Sequence, residues 1–342
     1  MTQLTFKEAL QTLIEKRDFS YTEMKDVMSQ VMGGEFTQAQ IAGLLIGLRM
    51  KGETVEEIAA AAEVMRNLST KVNVKNSAHL VDTCGTGGDG IQTFNVSTAS
   101  AFVAAAAGAC VAKHGGRSVS STCGSIDVLE ALNVNVNQTP EQVALSIKET
   151  GVGFMFAPNH HSAMKYAAPV RRELGVRTMF NLLGPLTNPA GAKRQVMGVF
   201  HKDLTILLAG ALQQLGSEHV MVVHGADGMD EISFSGDTYI AELKDGKIRQ
   251  YTINPAQFGL AIHDVKTIQV KNAEESRIMV QDVLEGKASG ARDIVLLNAG
   301  AAIYVAGVAD DLSAGIEAAK KAIDSGGALR KLKELQARSI PV

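Results

Sequence analysis

Over the first seventy residues the apolar positions recur with helical spacing. Phe6, Leu10, Leu13 and Ile14 fall on one face, and Met24, Val27, Met28 and Val31 on another, the i, i+3, i+4 pattern of amphipathic helices. Gly33-Gly34 ends the second of these. Thr37-Gln38-Ala39-Gln40 and Thr54-Val55-Glu56-Glu57 have capping-box spacing: a hydroxyl and a carboxylate or amide three residues on satisfy each other's orphan backbone donors. Four helices and no strand are expected over residues 1–70, a small helical domain.

From about His79 the pattern changes to short apolar runs that end in glycine and alternate with helical stretches. Leu80-Val81 is followed by a helix reaching Gly108 and then by Cys110-Val111-Ala112. Such alternation implies βαβ units on a parallel sheet. Further strands are expected over Gly153 to Ala157, Gln195 to Phe200 and His219 to His224. Helices are expected from Thr139-Pro140 to Gly151 and from Asp203 to Leu215. Asp245-Gly246, between Tyr239-Ile240-Ala241-Glu242-Leu243 and Ile248-Arg249-Gln250-Tyr251, is a two-residue hairpin signal and hence one antiparallel excursion. Helices fill the chain from Asn272 onward. Residues 159–190 hold two more helical stretches and the punctuated segment Gly184-Pro185-Leu186-Thr187-Asn188-Pro189, and are expected to pack back onto the N-terminal helices. The expected fold class is thus α/β: a helical domain, 1–70, and a larger α/β domain, 75–342, with a mostly parallel central sheet. Ligands of such sheets bind beyond the carboxyl ends of the strands. The loops after Thr83, Lys113, Ala157 and His224 should therefore converge on one crevice.

Composition narrows the function without deciding it. The 342 residues, 46% hydrophobic and 20% charged with 33 glycines and no tryptophan, suit a globular protein with a sizeable core. A net charge of -3 and a pI near 6.3 supply no basic surplus for nucleic acid or a membrane surface, so any anionic ligand needs a local positive field. Cys84, Cys110 and Cys123 form neither an even disulfide set nor a CxxC pair, which points to free thiols in a reducing cytoplasm. The start of the chain lacks the apolar stretch of a signal peptide. The small-apolar run around Ala99 to Ala112 is too short to cross a bilayer.

Gly85-Thr86-Gly87-Gly88-Asp89-Gly90 satisfies G-x-G-x-x-G directly after a strand, which raises a dinucleotide site first. That reading fails, because the second strand should then end in an acid for a ribose hydroxyl, whereas here it ends in Lys113-His114. Backbone N–H groups of the glycine loop, followed by Asn95-Val96-Ser97-Thr98 at a helix N-terminus expected to begin at Ser97, make two anion devices side by side. A plain strand-to-helix turn is the alternative. Asp89 in such a cradle makes sense mainly if the ligand brings hydroxyls or a metal.

Lys113-His114-Gly115-Gly116-Arg117-Ser118-Val119-Ser120-Ser121 sets two cations, two glycines and three hydroxyls after the second strand, which suits a polyphosphate. In Asp227-Gly228-Met229-Asp230-Glu231, the last two carboxylates can converge in a loop as the protein's share of a Mg²⁺ site. A solvated loop and a solvated acidic turn are the plainer readings. His160-His161 lacks a third ligand and reads as structural, while one of Arg171-Arg172 is a candidate carboxylate clamp or else half of a solvated pair. No Gly-x-Ser-x-Gly elbow and no cysteine beside an evident base supports nucleophilic catalysis.

Taken in order, several segments resemble the anthranilate phosphoribosyltransferase family over essentially the whole chain. They are Asp82-Thr83-Cys84-Gly85-Thr86-Gly87-Gly88-Asp89, Phe94-Asn95-Val96-Ser97-Thr98, Lys113-His114-Gly115, Arg117-Ser118-Val119-Ser120-Ser121, Val170-Arg171, Arg177 to Pro189 and Asp230-Glu231. The resemblance implies a fold of the nucleoside phosphorylase and phosphoribosyltransferase kind, usually a homodimer through the helical domain. It implies transfer of phosphoribosyl from 5-phosphoribosyl 1-pyrophosphate to anthranilate in tryptophan biosynthesis. By the same resemblance, donor phosphates and ribose fall to Gly85, Gly88, Asp89, Thr93, Asn95, Val96, Ser97 and Thr98, to Lys113, His114, Gly115, Gly116, Arg117, Ser118, Val119, Ser120 and Ser121, and to Ser125. Ser97, Asp230 and Glu231 would hold magnesium, two ions per site. Gly85, Arg171 and the position of Gly116 would lie near anthranilate. One departure touches the acceptor: the family typically has Lys-His-Gly-Asn-Arg, and here Gly116 stands in place of that Asn.

The implied chemistry needs no triad. Displacement of pyrophosphate from the anomeric carbon requires stabilisation of departing charge, which Mg²⁺, Lys113, Arg117 and backbone donors can supply. The aryl amine is neutral at pH 7 and needs positioning more than deprotonation. A pyrimidine nucleoside phosphorylase, or a phosphoribosyltransferase for another aromatic acceptor, is the alternative; a nucleic-acid-binding relative of the fold is disfavoured by the acidic pI.

Overall fold

The computed structural model describes residues 3–75, 78–117 and 123–338. Four helices open it: α1 (Phe6–Ile14), α2 (Tyr21–Gly33), α3 (Gln38–Lys51) and α4 (Val55–Leu68). Each starts in a full capping box, from Thr5 with Glu8, Ser20 with Glu23, Thr37 with Gln40 and Thr54 with Glu57. Gly34 stops α2 in the left-handed region at φ 78°, where a side chain would be strained.

The rest alternates. The elements are β1 (Leu80–Gly85), α5 (Val96–Ala106), β2 (Cys110–Gly115), α6 (Ser125–Ala131), α7 (Pro140–Thr150), β3 (Val152–Phe156), α8 (Ala157–His160), α9 (Ala168–Leu174), α10 (Phe180–Leu183), β4 (Arg194–Gly198), α11 (Leu204–Gln214), β5 (His219–Gly225), β6 (Thr238–Lys244), β7 (Lys247–Ile253), α12 (Ala273–Leu284), α13 (Gly290–Val305), α14 (Leu312–Asp324) and α15 (Gly327–Arg338). Seven strands form one sheet in the order β3-β2-β1-β4-β5-β6-β7. The first five are parallel and β6 and β7 antiparallel. Asp245 and Gly246 both take positive φ, 51° and 70°, the two-residue turn that matches strand twist.

Side chains alternate across the sheet as the pleat requires. Val196, Met221 and Val223 enter the core beneath α5 and α12 to α15. Met197, Val199, Val220 and Val222 enter the opposite core, shared with α11 and the N-terminal helices. Val170, Met179, Phe180, Leu182 and Leu183 join that second core, so the segment around 159–190 does pack onto the N-terminal helices.

Two boundaries are refined. Lys113 and His114, read both as the end of the second strand and as the start of the loop after it, lie inside β2, in register with Phe154 and Met155 of β3; the ladder continues to Gly115 because Lys113 finds oxygen acceptors within the fold and need not turn out to solvent. Helix α5 begins at Val96 with Asn95 as its cap rather than at Ser97. The winding of the sheet reverses between β1 and β4, where an open parallel sheet leaves a crevice. There Gly85 of β1 pairs with Gly198 of β4.

Candidate active site

That glycine pair is the floor on which the acidic turn rests. A Cβ on Gly198 would fall 1.5 Å from the Asp230 carbonyl oxygen, and one on Gly85 would fall 2.3 Å from Asp230 Oδ2. Only bare backbone allows this approach. The Gly87 N–H then donates to Asp230 Oδ2 at 2.7 Å, joining the glycine loop to the acid. Glu231 faces the backbone N–H of Ser97 at the start of α5, and Lys113 lies near enough to act on its charge. Burial pushes both carboxyls up, and the charge of Asp89 adds to it for each, with Asp230 also acting on Glu231. The Asp230-Glu231 pair thus feels a third negative charge, and a cation beside the pair would relieve the repulsion.

Lys113 is buried, its ammonium donating to the Thr83 carbonyl and, at 3.1 Å, to Ser97 Oγ. Beneath it lies Asp82, wholly buried, which accepts from His114 N at 3.2 Å and from Asn188 Nδ2 at 2.7 Å. Asn188 Nδ2 also reaches the Ala112 carbonyl at 2.9 Å. Burial raises the Asp82 carboxyl, opposed by Lys113 and these donors. The strand end that carries the cation is thus braced from the segment after α10.

The α5 corner is held from further away. Ser276 of α12, fully buried, donates to Asn95 Oδ1 at 2.7 Å and accepts from Asn95 N at 3.1 Å. Thr93 bridges to Gln269, and Thr98 is buried one turn into the site wall. Gly88 lies against Arg177, which donates to the Gly88 carbonyl with its guanidinium 4.2 Å from the centroid of the Phe200 ring. Ser125 Oγ would collide with a Cβ on Gly115, whereas one on Gly116 would meet none of the described residues within 4 Å.

Arg117 does not face the crevice as a phosphate ligand would. It pairs with Asp127 at 2.8 Å and Glu130 at 2.7 Å on the α6 side, partners that no local pattern announces. Ser118, Val119, Ser120 and Ser121 lie outside the described residues. Arg171 on α9 sits with its guanidinium 5.5 Å from the centre of the Phe180 ring. His160 Nδ1 bonds the Thr70 carbonyl at 3.0 Å, a structural role. His161 instead packs its ring 5.1 Å from that of His114, and the Nε2 atoms of both are buried without a hydrogen-bond partner among the described residues. Burial holds the His114 imidazole down at about 3 and His161 at about 4.

Among the described residues no three His, Cys, Asp or Glu side chains close on one point as a complete metal cage. Two carboxylates beside an anion cradle instead suit a hard cation that keeps water and phosphate oxygens for its remaining positions. Asp230, Glu231, Ser97, Lys113 and the glycine loop come together. Arg117 stands apart. Reasoning from sequence quoted Asp82, Arg177 and Asn188 within longer segments without giving them roles, and it passed over Gly198 and Ser276. Their partners lie far along the chain, so no local signal marks what they do.

Comparison with known proteins puts this geometry in a family. Residues 7–69 match the model of the glycosyl transferase family helical bundle domain, and residues 77–329 that of its a/b domain. The chain is 67% identical over 336 residues to the anthranilate phosphoribosyltransferase of Methylobacillus flagellatus, covering 98% of both chains. The anthranilate phosphoribosyltransferase of Thermus thermophilus superposes with a TM-score of 0.91 at 41% identity, over 97% of this chain and 99% of that one. The Saccharomyces cerevisiae enzyme in complex with PRPP and Mg gives 0.89 at 26% identity, over 99% and 98%. With its fold, its crevice and this degree of likeness along nearly its full length, the chain belongs to the anthranilate phosphoribosyltransferase family.

Proposed function

We propose that this protein transfers the phosphoribosyl group of 5-phosphoribosyl 1-pyrophosphate to the amino group of anthranilate, releasing pyrophosphate, as a Mg²⁺-dependent step of tryptophan biosynthesis. The observation that carries the reading is the Asp230-Glu231 turn seated on Gly85 and Gly198, against Ser97 and the glycine loop. Ser97, Asp230 and Glu231 would hold the magnesium, two ions in all, and bound Mg²⁺ would neutralise charge on the departing pyrophosphate. The backbone donors of Gly85 to Asp89 and of the α5 N-terminus, with Thr93, Asn95, Val96 and Thr98, cradle the donor. Lys113, in place between Thr83 and Ser97, adds a fixed positive charge that costs no reorganisation as the bond breaks. His114, Gly115, Gly116 and Ser125 would border the bound donor. Arg117, paired with Asp127 and Glu130, would have to leave those partners to meet a phosphate. Arg171 would receive the acceptor's carboxylate, and Gly116 would lie on the acceptor side.

A homodimer would form through the helical domain, on which Ile14 of α1 and Met50 of α3 are 65% and 79% exposed. An odd number of cysteines with no CxxC pair suits a reducing cytoplasm. No described helix is long and apolar enough to cross a membrane. The reading is tested by incubating the protein with donor, anthranilate and Mg²⁺ and following loss of anthranilate fluorescence. Turnover that requires all three is expected. No turnover, or phosphorolysis of thymidine or uridine instead, overturns it.

A further inference from the structure

Helix α13 runs Ile294-Val295-Leu296-Leu297-Asn298-Ala299, and Asn298 breaks this apolar stretch while only 3% exposed. An amide is a poor choice for a buried helical position, because its polar atoms lose water and the residue favours helix only weakly. Here every pairing is made, and most of it goes to one residue. Asn298 Oδ1 accepts from the Ile232 N–H at 2.9 Å. Asn298 Nδ2 donates to the Ile232 carbonyl at 2.9 Å and to the Ile294 carbonyl of its own helix at 2.9 Å. The side chain thus pairs with Ile232 on both of its backbone groups, as a neighbouring strand would. Ile232 directly follows Glu231. On the other side of the acid pair, Gly198 receives the Asp230 main chain at a distance no side chain would permit. Gly198, Glu231 and Asn298 line one small cavity, together with Thr83, Cys84, Ser97, Ser100 and Val196.

We infer that Asn298 is a positioning residue for the metal-binding carboxylates: its amide, clamped to Ile232, fixes the backbone of the Asp230-Glu231 turn so that both acids face the crevice before any ligand arrives. Like charges crowded together would otherwise drive the turn apart, and the Asn298 amide holds both the N–H and the carbonyl of the residue that follows them. The inference rests on the proposed metal role of that turn. Groups that orient metal ligands from behind typically govern affinity by about 10–100-fold.

The test uses Mn²⁺ with inorganic pyrophosphate as the probe, with uptake followed by the loss of the free-ion paramagnetic resonance signal, on the full-length protein. Asn298→Leu keeps the branched shape and removes all three bonds; Asn298→Ser is the second variant in case the first does not fold. Ile303→Val, on the same helix, controls for a loss of stability alone. The expected result is weaker Mn²⁺ uptake by about 10-fold or more in the Asn298 variants, a matching rise in the Mg²⁺ needed for half-maximal turnover, and an unchanged KM for anthranilate. Ile303→Val should leave uptake as in the wild type. Unchanged uptake in a folded Asn298 variant, or an equal loss in Ile303→Val, overturns the inference alone. Failure of the wild type itself to take up Mn²⁺ overturns the metal reading of the turn, and the inference with it.

Discussion

Two glycines set the distance between the glycine loop and the acid pair, and that distance is where single substitutions should bite hardest. At Gly85 a methyl group would meet Asp230 Oδ2 at 2.3 Å, forcing the carboxylate to rotate without touching the core. Gly85→Ala is expected to lower kcat/KM for the donor by about 100-fold, the scale of an ångström-sized misplacement at a reacting centre, with the circular dichroism spectrum unchanged. A steady-state titration of donor and Mg²⁺ measures it. Arg171 bears on the other substrate. Its truncation should raise the KM of anthranilate by about 10-fold or more, the worth of a hydrogen bond to a charged group, and leave the donor KM within about twofold. Equal effects on both substrates would remove Arg171 from the acceptor site. The acid pair is legible in the sequence because two carboxylates follow an apolar run at a sheet end. Asn298 and Ser276 are not legible, because each acts on backbone 66 or 181 residues away, and no local pattern encodes such a meeting.

Elements are legible wherever local chemistry decides them. Capping residues, terminal glycines and the Asp-Gly turn all act within a few residues, and the structure bears them out. Strand ends are not, because a ladder can draw polar residues inward when tertiary partners exist. Lys113 and His114 read equally as the end of a strand and as the start of a loop until Asp82, Thr83 and Ser97 are placed around them. The brace behind that strand end is Asn188, whose amide spans Asp82 and the Ala112 carbonyl. Asn188→Ala removes both bonds and leaves a wholly buried carboxyl with fewer donors. A destabilisation of about 1.5–3 kcal/mol is expected, measured as a shift of the urea midpoint at constant slope. A loss below about 0.5 kcal/mol would show that surface-like relaxation replaces the bonds.

At the scale of the whole molecule, a histidine contact joins the sheet to the segment that packs on the N-terminal helices. His114 comes from β2 and His161 from just beyond α8, their rings 5.1 Å apart, with His160 and the ammonium of Lys71 also acting on His161 and Lys113 on His114. Burial and this positive company keep both imidazoles neutral in the folded state, at about 3 and about 4, while the unfolded chain titrates near about 6.5. The unfolded state therefore binds more protons as pH falls below about 6.5. By linkage, the stability these rings contribute is fully present above that pH and drains away toward about pH 4. Asp230 and Glu231 work in the opposite sense: their raised carboxyls cost stability as pH rises through the neutral range. The wild-type profile alone would mix the two, so the informative quantity is a difference. His161→Gln keeps a polar side chain of similar size without the titration. Its urea-derived stability relative to wild type should improve by about 2 kcal/mol between about pH 7 and pH 5, roughly one and a half pH units of a single suppressed protonation. Parallel profiles for the two proteins would mean that His161 is reached by solvent, and that the junction between sheet and helices is looser than its packing implies.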